Sequence, residues 1–233
     1  MEKLIYAVWK RRETSLAEFK RELLGETAER LIGLGAQKLS LGLVDEQVEY
    51  ALGSRITRMD EPLSGMVSLW LHTALERAPF EQRIRAATAR CAGYLVLESV
   101  PIVNTTRVAP IGERRPDINT VAFPQKPDWL SYDEWLERWQ GQHTQLAIET
   151  QSTFLYVQNV VVRSLTEDAP PWAAIVEEGF PSEALTDPKV FYDAGDSDQR
   201  LEENRRRMIE SCKRFIDFDR LESHVMSEYV LKD

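Results

Sequence analysis

Cysteine is nearly missing from this sequence: only Cys91 and Cys212 occur in 233 residues. Two are too few for a disulfide framework or a thiolate metal site. Both read as small buried apolar groups in or beside helical segments. Histidine is almost as scarce, with His72, His143 and His224 as the full set. No companion ligand stands three or four residues from His143, so local metal chelation has no basis. Nothing matches HExxH, a Walker loop or GxGxxG, and no metal or resident cofactor is expected. Long apolar runs are lacking as well, since spanning a bilayer takes roughly 18 such residues or more. The opening MEKLIYAVWKRR lacks the long apolar core and small-residue cleavage site of a signal peptide, so cytoplasmic residence is expected. Basic charge is in deficit, with 29 Lys and Arg against 38 Asp and Glu and a net charge of -9. That balance argues against nucleic acid or anionic membrane as the main partner. The cluster Arg205, Arg206 and Arg207 shares its segment with Glu202, Glu203 and Glu210 and reads as solvated, charge-mixed surface.

What the chain does contain is itself, twice. KLIYAVWK at 3–10 reads as a strand, and Ser15 then opens a segment with Leu16, Phe19, Leu23, Thr27 and Leu31 at helical spacing. When the chain is slid along itself so that Ser15 meets Ser131, NTVAF at 119–123 takes the place of that strand. Glu18 then falls on Glu134, Phe19 on Trp135, Gly25 on Gly141 and Thr27 on His143. Ser15-x-x-Glu18 and Ser131-x-x-Glu134 are both capping boxes, in which each side chain satisfies a first-turn amide of the other residue. The duplication predicts units at 1–106 and 119–233, joined by a linker at 107–118 rich in proline, glycine and arginine.

The remaining segments fit one plan. In the first unit, strands are expected at 37–44, 66–71 and 94–103, and a helix at 79–91 that begins on a proline, where a missing amide costs least. In the second, strands are expected at 153–162, 173–178 and 221–230, with a helix at 197–215. The triplet Leu97-Glu98-Ser99 recurs as Leu221-Glu222-Ser223. The fold class is therefore α+β: tandem duplicated ferredoxin-like βαββαβ units. Each four-stranded sheet leaves one face without helices, and packing the two bare faces together would enclose a barrel-like interior suited to a ligand.

The segment LSYDEWLERWQGQHTQL at 130–146 resembles the helix of the EthD domain family, through Ser131, Glu134, Trp135, Trp139 and His143. Ser15, Glu18 and Phe19 resemble the same helix more weakly. The resemblance covers most of the chain and implies an intrachain dimeric α-β barrel. It implies small-molecule metabolism: the family is associated with breakdown of ethers and other organic compounds. Related barrels include cofactor-free monooxygenases, cyclases, lactone isomerases, dehydratases and haem enzymes. Thr27 in the first copy, and Thr144 and Gln145 in place of the usual glycine and proline, depart from the family wording.

Several side chains suit chemistry inside such a barrel. His143 shares a helix face with Trp135 and Trp139 and reads either as a packing histidine or as a general acid/base at the barrel mouth. His224 alternates with Glu222 and Met226 on the last strand. If that face looks inward, His224 and Glu222 act on one enclosed substrate. Tyr156 and Tyr6 are candidate donors to a substrate oxygen, and Phe154, Gln158, Trp70 and His72 are candidate walls or rim. Aromatic residues in strands are more often core. The expected function is a cofactor-independent isomerase, cyclase, dehydratase or lyase acting on a hydrophobic oxygenated compound, with His143, His224 and Tyr156 as catalytic groups. The alternatives are a non-catalytic small-molecule binding protein, or a cofactor-free or haem-dependent oxygenase. A homodimer would need a surface other than the bare sheet faces.

Overall fold

Each half of the chain opens with an apolar strand that runs into a capped helix. The computed structural model describes residues 1–233, the side chain of Leu52 apart. In the first half, β1 (Glu2–Trp9) leads to α1 (Leu16–Glu22), whose amides Ser15 and Glu18 cap reciprocally. Ser131 and Glu134 repeat that box in the second half. Both helices then widen into a π-helical turn, at Leu23–Thr27 and at Glu137–His143. Apolar spacing alone does not reveal this feature, because a one-residue widening leaves the buried stripe nearly in place. The helices resume as α2 (Ala28–Gly33) in the first half, and as the second half's own continuation described below.

The first half continues with β2 (Lys38–Leu43), β3 (Gly65–Leu71), α3 (Ala78–Ala87) and β4 (Arg90–Ile102). Helix α3 stops where β-branched Thr88 turns extended and its hydroxyl donates back to the Ile84 carbonyl at 2.9 Å. Cys91 consequently sits in β4, not in a helix, where it is fully buried. The second half runs β5 (Ile118–Pro124), α4 (Tyr132–Leu136), α5 (Thr144–Thr150), β6 (Leu155–Ser164), β7 (Ala174–Phe180), α6 (Pro188–Phe191), α7 (Asp198–Cys212) and β8 (Leu221–Lys232).

Eight antiparallel strands close into one barrel, in the order β1-β3-β2-β8-β5-β7-β6-β4. Strands β4-β1-β3-β2 come from the first half and β8-β5-β7-β6 from the second, each in ferredoxin-like order. Closure through β2–β8 and β4–β6 removes every sheet edge. Strand pairing sets the equivalence of the two halves. Ile5 pairs with Tyr94 as Val121 pairs with His224, and Lys3 pairs with Val96 as Asn119 pairs with Met226. Glu98 is thus the counterpart of Glu228, so the recurring Leu-Glu-Ser triplets are not structurally equivalent.

Alternate strand residues divide the core into layers. Leu4, Tyr6 and Val8 face outward against Phe19, Leu23 and Ile84 of the first helical layer. Trp135, Trp139, Tyr156, Met208 and Phe215 form the matching layer of the second half. Between them lies the barrel interior, filled by Ile5, Tyr94, Phe123, Trp172, Ile175 and Met226 among others. No helix among the described residues is long and apolar enough to cross a membrane.

Candidate functional site

Inward-pointing positions begin at one end of the barrel with charge. Lys3 opens β1 and is buried, with its Nζ 2.5 Å from Glu98 Oε2, 2.8 Å from Asn159 Oδ1 and 3.5 Å from Glu177 Oε1. Asn159 fixes the third partner by donating through Nδ2 to Glu177 Oε1 at 3.1 Å. On the facing wall, Arg115 donates to both carboxylate oxygens of Glu228, at 3.1 and 3.0 Å. These groups floor an open recess of about 260 Å³, whose apolar sides include Trp70, Val100, Val157 and Val230.

Lys3 and Glu177 are buried at the floor of this recess, where removing an ion from water costs roughly several kcal/mol unless a partner compensates. Glu228 shows the consequence. Burial, aided by the nearby Glu177 carboxylate, pushes its carboxyl up to about 7 against the pull of Arg115. A carboxyl that titrates near neutrality can both give and take a proton. Arg115 bonds Glu228 through Nη1 alone, which leaves further guanidinium donors for an oxygen that gains charge. Together these provide proton transfer and oxyanion stabilisation in one opening.

The opposite end is aromatic. Trp172, from the β6–β7 connection, packs on Phe123 at 4.5 Å and on Tyr94 at 5.4 Å between ring centroids. Leu63 and Met59, from the 44–64 connection, complete the seal. Inside it lie Glu222 and His224, both buried, with His224 Nε2 3.5 Å from Glu222 Oε2. Among the described residues, neither ring nitrogen of His224 nor Oε2 of Glu222 has a hydrogen-bond partner. Burial, with the charge of Arg55, pushes His224 down to about 4, so it is neutral at pH 7. Its counterpart Tyr94 is satisfied, donating its hydroxyl to the Pro170 carbonyl at 2.8 Å.

The candidates read from the sequence divide between these regions and the helical layers. His224 and Glu222 face the barrel interior together, and Trp70 walls the open recess beside Ser68. His143 does not join them. It ends the π turn of the second half, with Nδ1 2.9 Å from Ser211 Oγ and its ring 4.7 Å from that of Phe215. Burial pushes it down to about 4. The equivalent Thr27 likewise bonds the second helix of its own half, accepting from Arg83 Nη2 at 2.9 Å. Position 143 thus ties helix to helix, on the outer side of the sheet and apart from His224.

Tyr6 also faces the helices, donating its hydroxyl to Glu81 Oε1 at 3.2 Å. Tyr156 lies in the helical layer, and Gln158 donates to Thr144 Oγ1 at 2.7 Å on that same side. Phe154 packs on Gly179 and lines a small recess with Arg115 and Asn119. His72 is exposed beyond the end of β3. Tyr156 and Gln158 do share a face, as alternation requires, but both faces of β6 are covered and the inward one carries Val157 and Asn159. The groups that floor the recess were missed. Their signal was available: Lys3 alternates with Ile5 and Ala7, and Glu177 with Ile175, and a charged residue on a buried face is rare unless paired.

No family model matches the sequence, and comparison with curated proteins finds no match. Solved structures do resemble it. An anthrone oxidase-like protein superposes with a TM-score of 0.53 at 11% identity, covering 100% of this chain and 93% of that one. A dye-decolorizing peroxidase from Bacteroides thetaiotaomicron VPI-5482 gives 0.53 at 9% identity, covering 98% of this chain and 93% of that one. These likenesses show a shared fold, a closed eight-stranded α+β barrel of the dimeric α-β barrel type.

Proposed function

We propose that this chain is a cofactor-independent small-molecule enzyme whose reaction takes place in the charged recess at the open end of the barrel. The observation that carries this reading is the recess itself, where Glu228 and Arg115 face Lys3 and Glu177 beneath apolar walls. Its ligand would be a small hydrophobic compound bearing a carbonyl, lactone or hydroxyl oxygen. The apolar part would pack on Trp70, Val100 and Val230, and the oxygen would accept hydrogen bonds from Arg115. Glu228 would remove or return a proton beside that oxygen, as isomerisation, cyclisation, dehydration and lyase reactions all require. Glu228 replaces the histidines in this role because His143 lies between helices and His224 is sealed in.

The names of the two structural neighbours, an oxidase-like protein and a peroxidase, make oxidation the alternative reaction class. Haem does not fit the residues present. His143 is held against Ser211 and Phe215, His224 is enclosed by aromatic side chains, and His72 stands at an exposed strand end. The resemblance to the EthD family rests on the wording of the helix from Ser131 to His143. Unit boundaries at 1–106 and 119–233 rest on the duplication.

The test is turnover. Purified protein is incubated at pH 6, 7 and 8 with a panel of hydrophobic enones, lactones, hydroxy acids and phenols, and products are followed by mass spectrometry. Glu228→Gln is expected to slow conversion by about 100-fold or more while substrate still binds. Conversion as fast as wild type in that variant, or no panel member bound in the recess, would sink the reading.

A further inference from the structure

We propose that one water molecule, held in a small recess beside the open end of the barrel, links Asn119 to Glu228 and makes Asn119 the positioning residue for that carboxyl. Asn119 is the first inward residue of β5 and is 3% exposed, yet neither Oδ1 nor Nδ2 has a hydrogen-bond partner among the described residues. A buried amide is almost always satisfied, by protein or by ordered water. The small recess holds about 10 Å³ and is lined by Asn119, Glu228, Arg115, Leu155 and Phe154 among others. That volume is on the order of one water and leaves no room for an organic ligand. Arg115, Leu155 and Glu228 also line the larger charged recess, so the two share a wall.

The other half of the chain shows what Asn119 replaces. Lys3 holds the same place in β1, pairing with Val96 as Asn119 pairs with Met226. Two residues further along each partner strand stands an acid, Glu98 in one half and Glu228 in the other. Lys3 reaches its acid directly, with Nζ 2.5 Å from Glu98 Oε2. The shorter side chain of Asn119 makes no bond to Glu228. A water takes up that difference, accepting from Asn119 Nδ2 and donating to Glu228. On the remaining side Gly179 of β7 pairs with Asn119, and the ring of Phe154 lies where a side chain at 179 would stand, so that it walls the recess.

A donated hydrogen bond favours the charged form of a carboxyl. Asn119 therefore opposes the burial that raises Glu228. The other charged groups around Glu228 are Arg115 from the linker, Glu177 from β7, Lys3 from β1, Glu98 from β4 and Lys38 from β2. Asp117, beside the small recess, is held by Arg107 and by the Ser182 amide. Substituting Asn119 alters none of these side chains. The part Asn119 plays in turnover rests on the reading of Glu228 as the proton-transfer group; the water link itself does not.

The readout is carbon NMR of protein labelled at its glutamate carboxyls and titrated with acid, with Glu228→Gln identifying the Glu228 resonance. Asn119→Leu, close in size but unable to hold the water, is expected to raise the proton affinity of Glu228 about tenfold. Asn119→Ser keeps a hydroxyl and leaves room for water, and is expected to stay within about twofold of wild type. Crystals of the unaltered protein are expected to show one water within hydrogen-bond distance of both Asn119 and a Glu228 oxygen, a result that stands even if a variant fails to fold. The proposal is overturned if Glu228 titrates alike in wild type and Asn119→Leu, or if Asn119→Ser shifts it as far as Asn119→Leu does. It also falls if that water is missing or touches Asn119 alone. Turnover separates this link from the proposed reaction. A Glu228 that responds to Asn119→Leu in a protein that converts no compound keeps the link and sinks the reaction. Conversion that needs Glu228 but keeps one pH profile in wild type and Asn119→Leu keeps the reaction and sinks the link.

Discussion

The two ends of the barrel solve the problem of buried polarity in opposite ways. At the open end, Lys3 and Arg115 each meet a carboxylate, so charge is paired and the recess tolerates water. At the sealed end, Glu222 and His224 sit among aromatic side chains with three polar atoms unpartnered among the described residues. The first arrangement compensates its own charges. The second leaves each unpaired group costing about 1–3 kcal/mol. The same duplicated strands supply both. Glu98 and Glu228 are equivalent positions that both stayed acidic, whereas Tyr94 and His224 are equivalent positions that diverged.

Removing the aromatic plug should have the largest effect. Trp172→Ala opens a void beside Phe123 and Tyr94 and is expected to cost about 3–5 kcal/mol in urea denaturation. Lys3→Met should follow, at about 3 kcal/mol, because it leaves Glu98 and Glu177 without their cation. The two differ in cause: adding Glu98→Gln should partly rescue Lys3→Met by removing an unpaired charge, and should not rescue Trp172→Ala. Equal rescue of both would erase the distinction between the ends.

Titration separates the ends further, with opposite signs. Glu228 is raised from 4.5 to about 7, so its contribution is fully present below pH 4.5 and is lost as pH rises through 7. Glu178, raised to about 7 by burial on the helical side, acts in the same window. His224 is lowered from 6.5 to about 4, so its contribution is present above pH 6.5 and is lost as pH falls through 4. His143 behaves alike. Each shift corresponds to roughly 3–4 kcal/mol. Glu228→Gln should therefore flatten the alkaline limb of the stability profile, and His224→Gln the acid limb, in denaturation midpoints measured from pH 4 to 8. A variant that flattened the wrong limb would contradict the assignment.

The smallest effect is expected at Tyr6, a near neighbour of Lys3 on β1 but on the opposite face. Tyr6→Phe removes one hydrogen bond to Glu81 and should cost about 1 kcal/mol. Ligand affinity at the open end should not change; a tenfold loss would mean that Tyr6 reaches the recess after all.

Much of this architecture was legible in residue order. The serine–glutamate pairs at 15/18 and 131/134 announce two capped helices, because capping is local chemistry between residues three apart. Alternation along β1 and β8 groups Lys3 with Ile5, and Glu222 with His224 and Met226, because side-chain direction has a period of two in any strand. What alternation leaves open is which group faces the barrel. Both faces of these strands are buried, one under helices and one inside, so hydrophobicity does not distinguish them. That is why Tyr156 and Gln158 read as lining residues although they lie beneath a helix. The aromatic and histidine positions drew attention as rare residues, while Lys3, Glu177 and Glu228 looked like ordinary surface charge.

The sequence by itself determined the two strand-and-helix units, their caps and the pairs of residues that share a strand face, since each depends on neighbours within a few positions. Only the tertiary structure decided that β2 meets β8 and β4 meets β6. That closure brings Lys3 of the first half to Asn159 and Glu177 of the second, places His143 outside the barrel and shuts His224 within it. Contacts between residues so far apart in the chain depend on how two sheets pack, which no local pattern encodes.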